Sequence, residues 1–184
     1  AFAAYHEALG ATREKDPFAL RLGYAEAGFH CREDEAIRQP LLALSADQRS
    51  PVVVGYMILH VVVSSGGKTE TARQVLDRWR DRASGDQDRA ILGLGEAEIL
   101  ESDRRRGDAS DRLGRVKRRL LPRSIAPLAD LLEGRLAYFD GKREEAEALF
   151  AGVRASGAGG RAHIELGEFL EAMGRTGKGG AARQ

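Results

Sequence analysis

Gly67-Lys68-Thr69 follows the apolar run VVV and precedes a charged, helix-forming stretch. That order of parts can build a phosphate-binding loop. Such a loop needs an earlier glycine, as in G-x-x-x-x-G-K-[ST], because the bend between the two glycines aims backbone N–H groups at phosphate oxygens. Val62 stands at that place, so the tripeptide reads as a turn between helices, with Thr69 capping the second one.

The histidines are His6, His30, His60 and His163. None pairs with another histidine or a cysteine at metal-ligand spacing, and the neighbours His30 and Cys31 point in different directions on a helix. Together with Glu33 and Asp34 they read as an inter-helix turn. His60, inside an apolar helix, reads as a satisfied core or groove residue. Nucleophile elbows, zinc-protease helices and dinucleotide fingerprints are missing from the sequence. The acidic run Glu144, Glu145 and Glu147 reads as the first turn of a helix, where carboxylates complement the helix dipole. No catalytic residue, metal ligand or cofactor is assigned, and the chain is read as not an enzyme.

One charged segment stands apart. Arg104 to Arg123 holds nine basic and two acidic residues, in a chain of net charge +1. On a continuous helix Arg112, Arg115 and Arg119 share one side, with Lys117 and Arg118 beside them and Leu113, Val116 and Leu120 turned to the core. Such a basic face meets solvent or an acidic protein or peptide. Nucleic acid is disfavoured as its partner, because no aromatic residue interleaves the arginines to stack bases.

The elements that position these residues follow from length and period. A chain of 184 residues, 42% hydrophobic and 31% charged, forms one domain or an array of small repeats. The lone Cys31 excludes an internal disulfide framework. The longest apolar run, between Pro51 and Ser64, is too short to span a bilayer, so no membrane insertion is expected. A cytoplasmic location is expected, within a longer bacterial protein.

Pro17, Pro51 and Pro127 mark helix starts. Four segments share the form turn, charged residues, small residue, apolar helix: CREDEAIRQPLLAL, GKTETARQVLDRW, GDASDRLGRVKRRLL and GKREEAEALFAGV. Their turn residues Cys31, Gly67, Gly107 and Gly141 are 36, 40 and 34 residues apart. Ala36, Ala72 and Ala146 lie five residues past three of them, and Arg112 takes that place after Gly107. Two helices per unit at this spacing predict an all-α chain of antiparallel helix pairs.

The segment Leu131 to Val153 resembles the tetratricopeptide repeat at Gly134, Ala137, Gly141, Ala146 and Phe150. The last helix is similar at Leu166, Gly167, Leu170 and Gly174. The tryptophan of that repeat's first helix is missing and its closing proline is mostly absent. The resemblance implies a right-handed superhelix, an α-solenoid of about four repeats with partial units at the ends. The units run over 1–16 (a half repeat), 17–49, 51–84, 88–122, 126–156 and a terminal helix 160–174. This single domain, 1–174, is followed by a flexible glycine-rich tail, 175–184.

The resemblance also implies a protein-interaction module, a scaffold or adaptor that holds a partner's peptide or helix in a concave groove. Tyr24, Met57, Val61, Arg135 and Tyr138 line that groove by this reading, with Arg104 near its edge. The chain has no asparagine, so the asparagine-based clamp for chaperone tails is excluded. The competing readings are a peptide-responsive regulatory domain and an accessory domain of an enzyme whose catalytic part lies elsewhere. Half-repeats at the ends would leave apolar faces that invite end-to-end self-association.

Overall fold

The computed structural model describes residues 3, 4, 7, 8, 17–157 and 160–181, with side chains as far as Gly174. The half repeat expected over 1–16 lies mostly outside the described residues. Among those described, the chain forms α-helices and a single 3-10 turn, and no strand. The helices are α1 (Phe18–Cys31), α2 (Asp34–Ala46), α3 (Val52–Ser64), α4 (Thr69–Arg80), α5 (Asp86–Ser102), α6 (Arg106–Gly114), α7 (Ala126–Phe139), α8 (Arg143–Ala155) and α9 (Gly160–Ala181). The 3-10 turn is Arg118–Leu120, between α6 and α7. None of the described helices is long and apolar enough to cross a membrane.

The chain divides into two compact units, Ala1–Pro122 and Arg123–Gln184, where the sequence predicted one domain. In the first, α1 packs on α2, α3 on α4, and α5 on α6, and α5 also lies against α3 and α4. In the second, α7 packs on α8 and both touch α9.

Each of these four pairs turns in the same way. The first helix ends on one residue in the left-handed region: Arg32 (φ 59°), Gly66 (φ 72°), Arg104 (φ 62°) and Gly141 (φ 79°). The amide of that residue donates to the carbonyl three residues back, and the next amide donates five residues back. Gly141 N–H reaches the Tyr138 carbonyl at 3.1 Å and Lys142 N–H reaches Ala137 at 2.9 Å. Arg104 and Arg105 bond Glu101 and Leu100, both at 2.9 Å. Arg32 with Glu33, and Gly66 with Gly67, repeat the pattern. This double bond satisfies carbonyls that a helix end otherwise leaves open.

The turns set the register of the second helices. Ile37, Ala72, Ala109 and Ala146 are each fully buried, at steps of 35, 37 and 37 residues. One turn further on come Leu41, Leu76, Leu113 and Phe150, and then Leu44, Trp79, Val116 and Val153, all buried. In α2, α4 and α8 the three apolar residues at i, i+4 and i+7 form one helix stripe, while in the third unit Val116 lies in the bend just past the end of α6. The opposite side is charged, and the first turn is acidic in each case: Asp34 and Glu35, Glu70, Asp108, Glu144 and Glu145.

Several sequence expectations change. Gly107 is not a turn residue but lies inside α6, with the turn at Arg104. The small position is therefore Ala109 rather than Arg112, and the first unit anchors on Ile37 while Ala36 is exposed. At the second turn Gly66, not Gly67, has positive φ. Gly67 is needed for another reason: a Cβ there would sit 2.7 Å from the Val62 carbonyl oxygen. Thr69 begins α4, and no side chain caps that helix. Helix α9 runs to Ala181, past Gly174, so 175–181 is helical backbone where a tail was expected.

Two glycines let paired helices approach. A Cβ on Gly55 would lie 2.3 Å from the Trp79 ring, and one on Gly134 would lie 2.5 Å from the Phe150 ring. Gly55→Ala should therefore overpack the α3–α4 crossing and cost about 1–3 kcal/mol in urea unfolding. Gly107→Ala should stabilise the chain by up to about 1 kcal/mol, because Gly107 sits in a helix with open space around it. A loss on Gly107→Ala would return the turn to that residue.

Candidate functional site

Helix α3 is apolar nearly all round. Val52, Val54, Gly55, Tyr56, Met57, Leu59 and His60 are all buried, as expected for a helix enclosed by neighbours. Tyr56 and His60, one turn apart, face α5 together. The Tyr56 hydroxyl donates to Glu98 Oε1 at 2.7 Å, and His60 Nδ1 lies 2.8 Å from Glu98 Oε2. Phe29 of α1 closes the group, edge-on to His60 at 5.4 Å and to Tyr56 at 6.4 Å. Glu98 and His60 are each only 6% exposed. The carboxylate accepts from both partners, so its buried oxygens are satisfied. The network ties three successive first helices, α1, α3 and α5, through polar and ring contacts.

The sequence reads His60 as a satisfied core or groove residue, and its burial puts it in the core, but Glu98 itself carries no such mark. The signal was present, since Tyr56 and His60 at i and i+4 form a paired polar face inside an apolar helix. Glu98→Ala removes the acceptor that both Tyr56 and His60 meet and leaves them the 3.4 Å contact with each other. It should cost about 1–3 kcal/mol. Glu98→Gln keeps an oxygen for Tyr56 and should lose less. Equal urea midpoints for the two variants would show that the hydrogen bonds add nothing to the packing.

The residues expected in a groove separate. Tyr24 and Met57 are buried, 3% and 1% exposed, and belong to the core. Burial raises the Tyr24 hydroxyl above its usual pKa, with the Glu33 carboxylate adding to the effect. Met57 is lost to the surface because α3 has no free polar side. Val61 is half-buried, and Arg104 is the exposed left-handed turn residue. Arg135 and Tyr138 are half-buried on α7. The Tyr138 ring packs edge-on against Phe169 of α9 at 5.5 Å and Phe139 at 5.9 Å, while Phe150 meets Phe169 at 5.6 Å.

The basic helix face also changes. Helix α6 ends at Gly114, the chain bends through Arg115–Lys117, and Arg118–Leu120 forms the 3-10 turn. Arg112, Arg115 and Arg119 therefore do not share one helix side. Arg112 lies across α5, where Gly93 leaves room for its guanidinium, and its Nε donates to Glu96 at 2.7 Å. Arg80 reaches the other Glu96 oxygen at 3.4 Å. Lys117 donates to Asp86 at 3.2 Å, and Arg89 donates to the same carboxylate at 2.6 Å. Arg118 is half-buried, and Arg115 and Arg119 are exposed.

What this bend creates is a small open cleft of about 260 Å³, lined by Asp86, Arg89, Ala90, Arg112, Arg115, Val116 and Lys117. Hydrogen bonds from Arg89 and Lys117 hold the Asp86 carboxyl below its usual pKa, so it stays ionised there. Sequence reading supplied the arginines of the far wall but not Asp86 and Arg89, which stand in a different helix. Among the described residues, no group of three or more His, Cys, Asp or Glu side chains is gathered as a metal site would need. Compared with known proteins, the chain matches no family model, no curated protein and no solved structure.

Proposed function

We propose that this chain is a noncatalytic protein–protein interaction module of tetratricopeptide-like helix pairs, built as an α-solenoid and acting as a scaffold or adaptor. The observation that supports this reading is the repeated unit. Four helix pairs use the same left-handed turn and bury residues at the same i, i+4, i+7 spacing, with the third of them past the helix end in the Ala109 unit. Units of this kind bury one face on their neighbours and leave the other for partners. A peptide or helix of a partner protein is the ligand such a surface suits. Arg135 and Tyr138 on α7 are the contact positions of choice, since arginine and tyrosine often dominate binding energy.

Affinity capture from the source cell, followed by titration of the purified partner, tests the reading. Arg135→Ala should weaken binding by about tenfold or more. Tyr138→Phe separates the hydroxyl from the ring that packs on Phe169. Failure of any protein to bind saturably would contradict the proposal, and so would catalytic turnover by the purified chain.

A further inference from the structure

Four cations and one carboxylate line the cleft beside the first turn of α5. Three of the cations are already engaged within the chain. Arg89 and Lys117 share Asp86, and Arg112 holds Glu96. Arg115 is exposed, and its side chain makes no hydrogen bond or ion pair among the described residues. We propose that this cleft receives a carboxylate side chain of an acidic peptide, and that the Arg115 guanidinium is the group that pairs with it. The proposal deepens the interaction-module reading and rests on it.

The size and the walls select this ligand. At about 260 Å³ the cleft is smaller than the usual pocket for a whole small molecule, but it accommodates one side chain. Ala90 and Val116 are buried in its wall and provide an apolar floor. A guanidinium beside such a floor faces a carboxylate through two parallel N–H groups, the strongest geometry open to an ion pair. Asp86 and Glu96 keep fixed negative charges next to the cations. A nucleic acid, with phosphates along its whole length, would press charge on those carboxylates and would find no aromatic ring in the cleft to stack on. An acidic peptide spaces its charges on flexible side chains and can place one in the cleft while keeping others away.

The probe is a fluorescein-labelled peptide of alternating glutamate and alanine with an amidated C-terminus, titrated into the full chain by fluorescence anisotropy. Saturable binding that weakens with salt is expected. Arg115→Glu should weaken it at least about tenfold at an unchanged melting temperature. Arg119→Glu, a charge reversal outside the cleft, should change it far less. Should Arg115→Glu fold poorly, Arg115→Gln removes the charge alone and should still weaken binding.

Equal losses from the two reversals would overturn the proposal in favour of diffuse charge attraction. Single-stranded DNA binding more tightly than the peptide would also overturn it, as would inorganic phosphate displacing the peptide at matching carboxylate concentrations. If the peptide does not bind but a captured partner is still lost with Arg135→Ala, the cleft assignment falls and the interaction-module reading stands. If no partner binds either, both fall.

Discussion

The left-handed residue that closes each first helix is the constraint on which the rest of the structure depends. It reverses the chain with two backbone bonds, and the second helix starts two residues on in three units and three residues on after Gly66. A buried residue then falls at Ile37, Ala72, Ala109 and Ala146, and in α2, α4 and α8 two further apolar residues follow at helical period. Two of the four turns put arginine where glycine would be unstrained. For an L residue the left-handed region costs about 1–2 kcal/mol. The bonds to Gly28 and Phe29, and to Leu100 and Glu101, hold it there.

With the register set, the spaces between helices call for particular side chains. Where Trp79 and Phe150 come forward, only glycine fits on the facing helix. Gly93 makes room for Arg112, which then delivers its guanidinium to Glu96 and gives the cleft one of its walls. The buried Glu98 carboxylate is tolerable only because Tyr56 and His60 meet both of its oxygens. Removing either partner leaves a buried Glu98 oxygen without its hydrogen bond, so this contact specifies how α3 meets α5.

Much of this was legible in the sequence. Helix content, the starts at Pro17, Pro51 and Pro127, and the turn at Gly141 follow from local rules that glycine and proline obey. The period was visible as well. The register was not, in two of the four units, because Arg32 and Arg104 carry no local mark of a left-handed turn, and the nearby Gly107 does. That single displacement moved the small position from Ala109 to Arg112. It also extended a helix through Arg115 and Arg119, so the basic face was drawn where the chain in fact bends. The partners Asp86, Glu96 and Glu98 lie too far along the chain for spacing alone to bring them to Lys117, Arg112 and His60.

Urea unfolding of Arg104→Gly tests the register most directly. Arg104 is exposed and its side chain has no polar partner among the described residues, so truncating it removes no side-chain contact of that kind. With Arg104 in the left-handed turn, glycine relieves the strain and adds some unfolded-state entropy, for a net gain of up to about 1 kcal/mol. If Arg104 were a helical residue and the turn lay at Gly107, the same change would cost about 1 kcal/mol. A raised midpoint is expected, and a lowered one would contradict the register on which the buried stripes and the cleft are built.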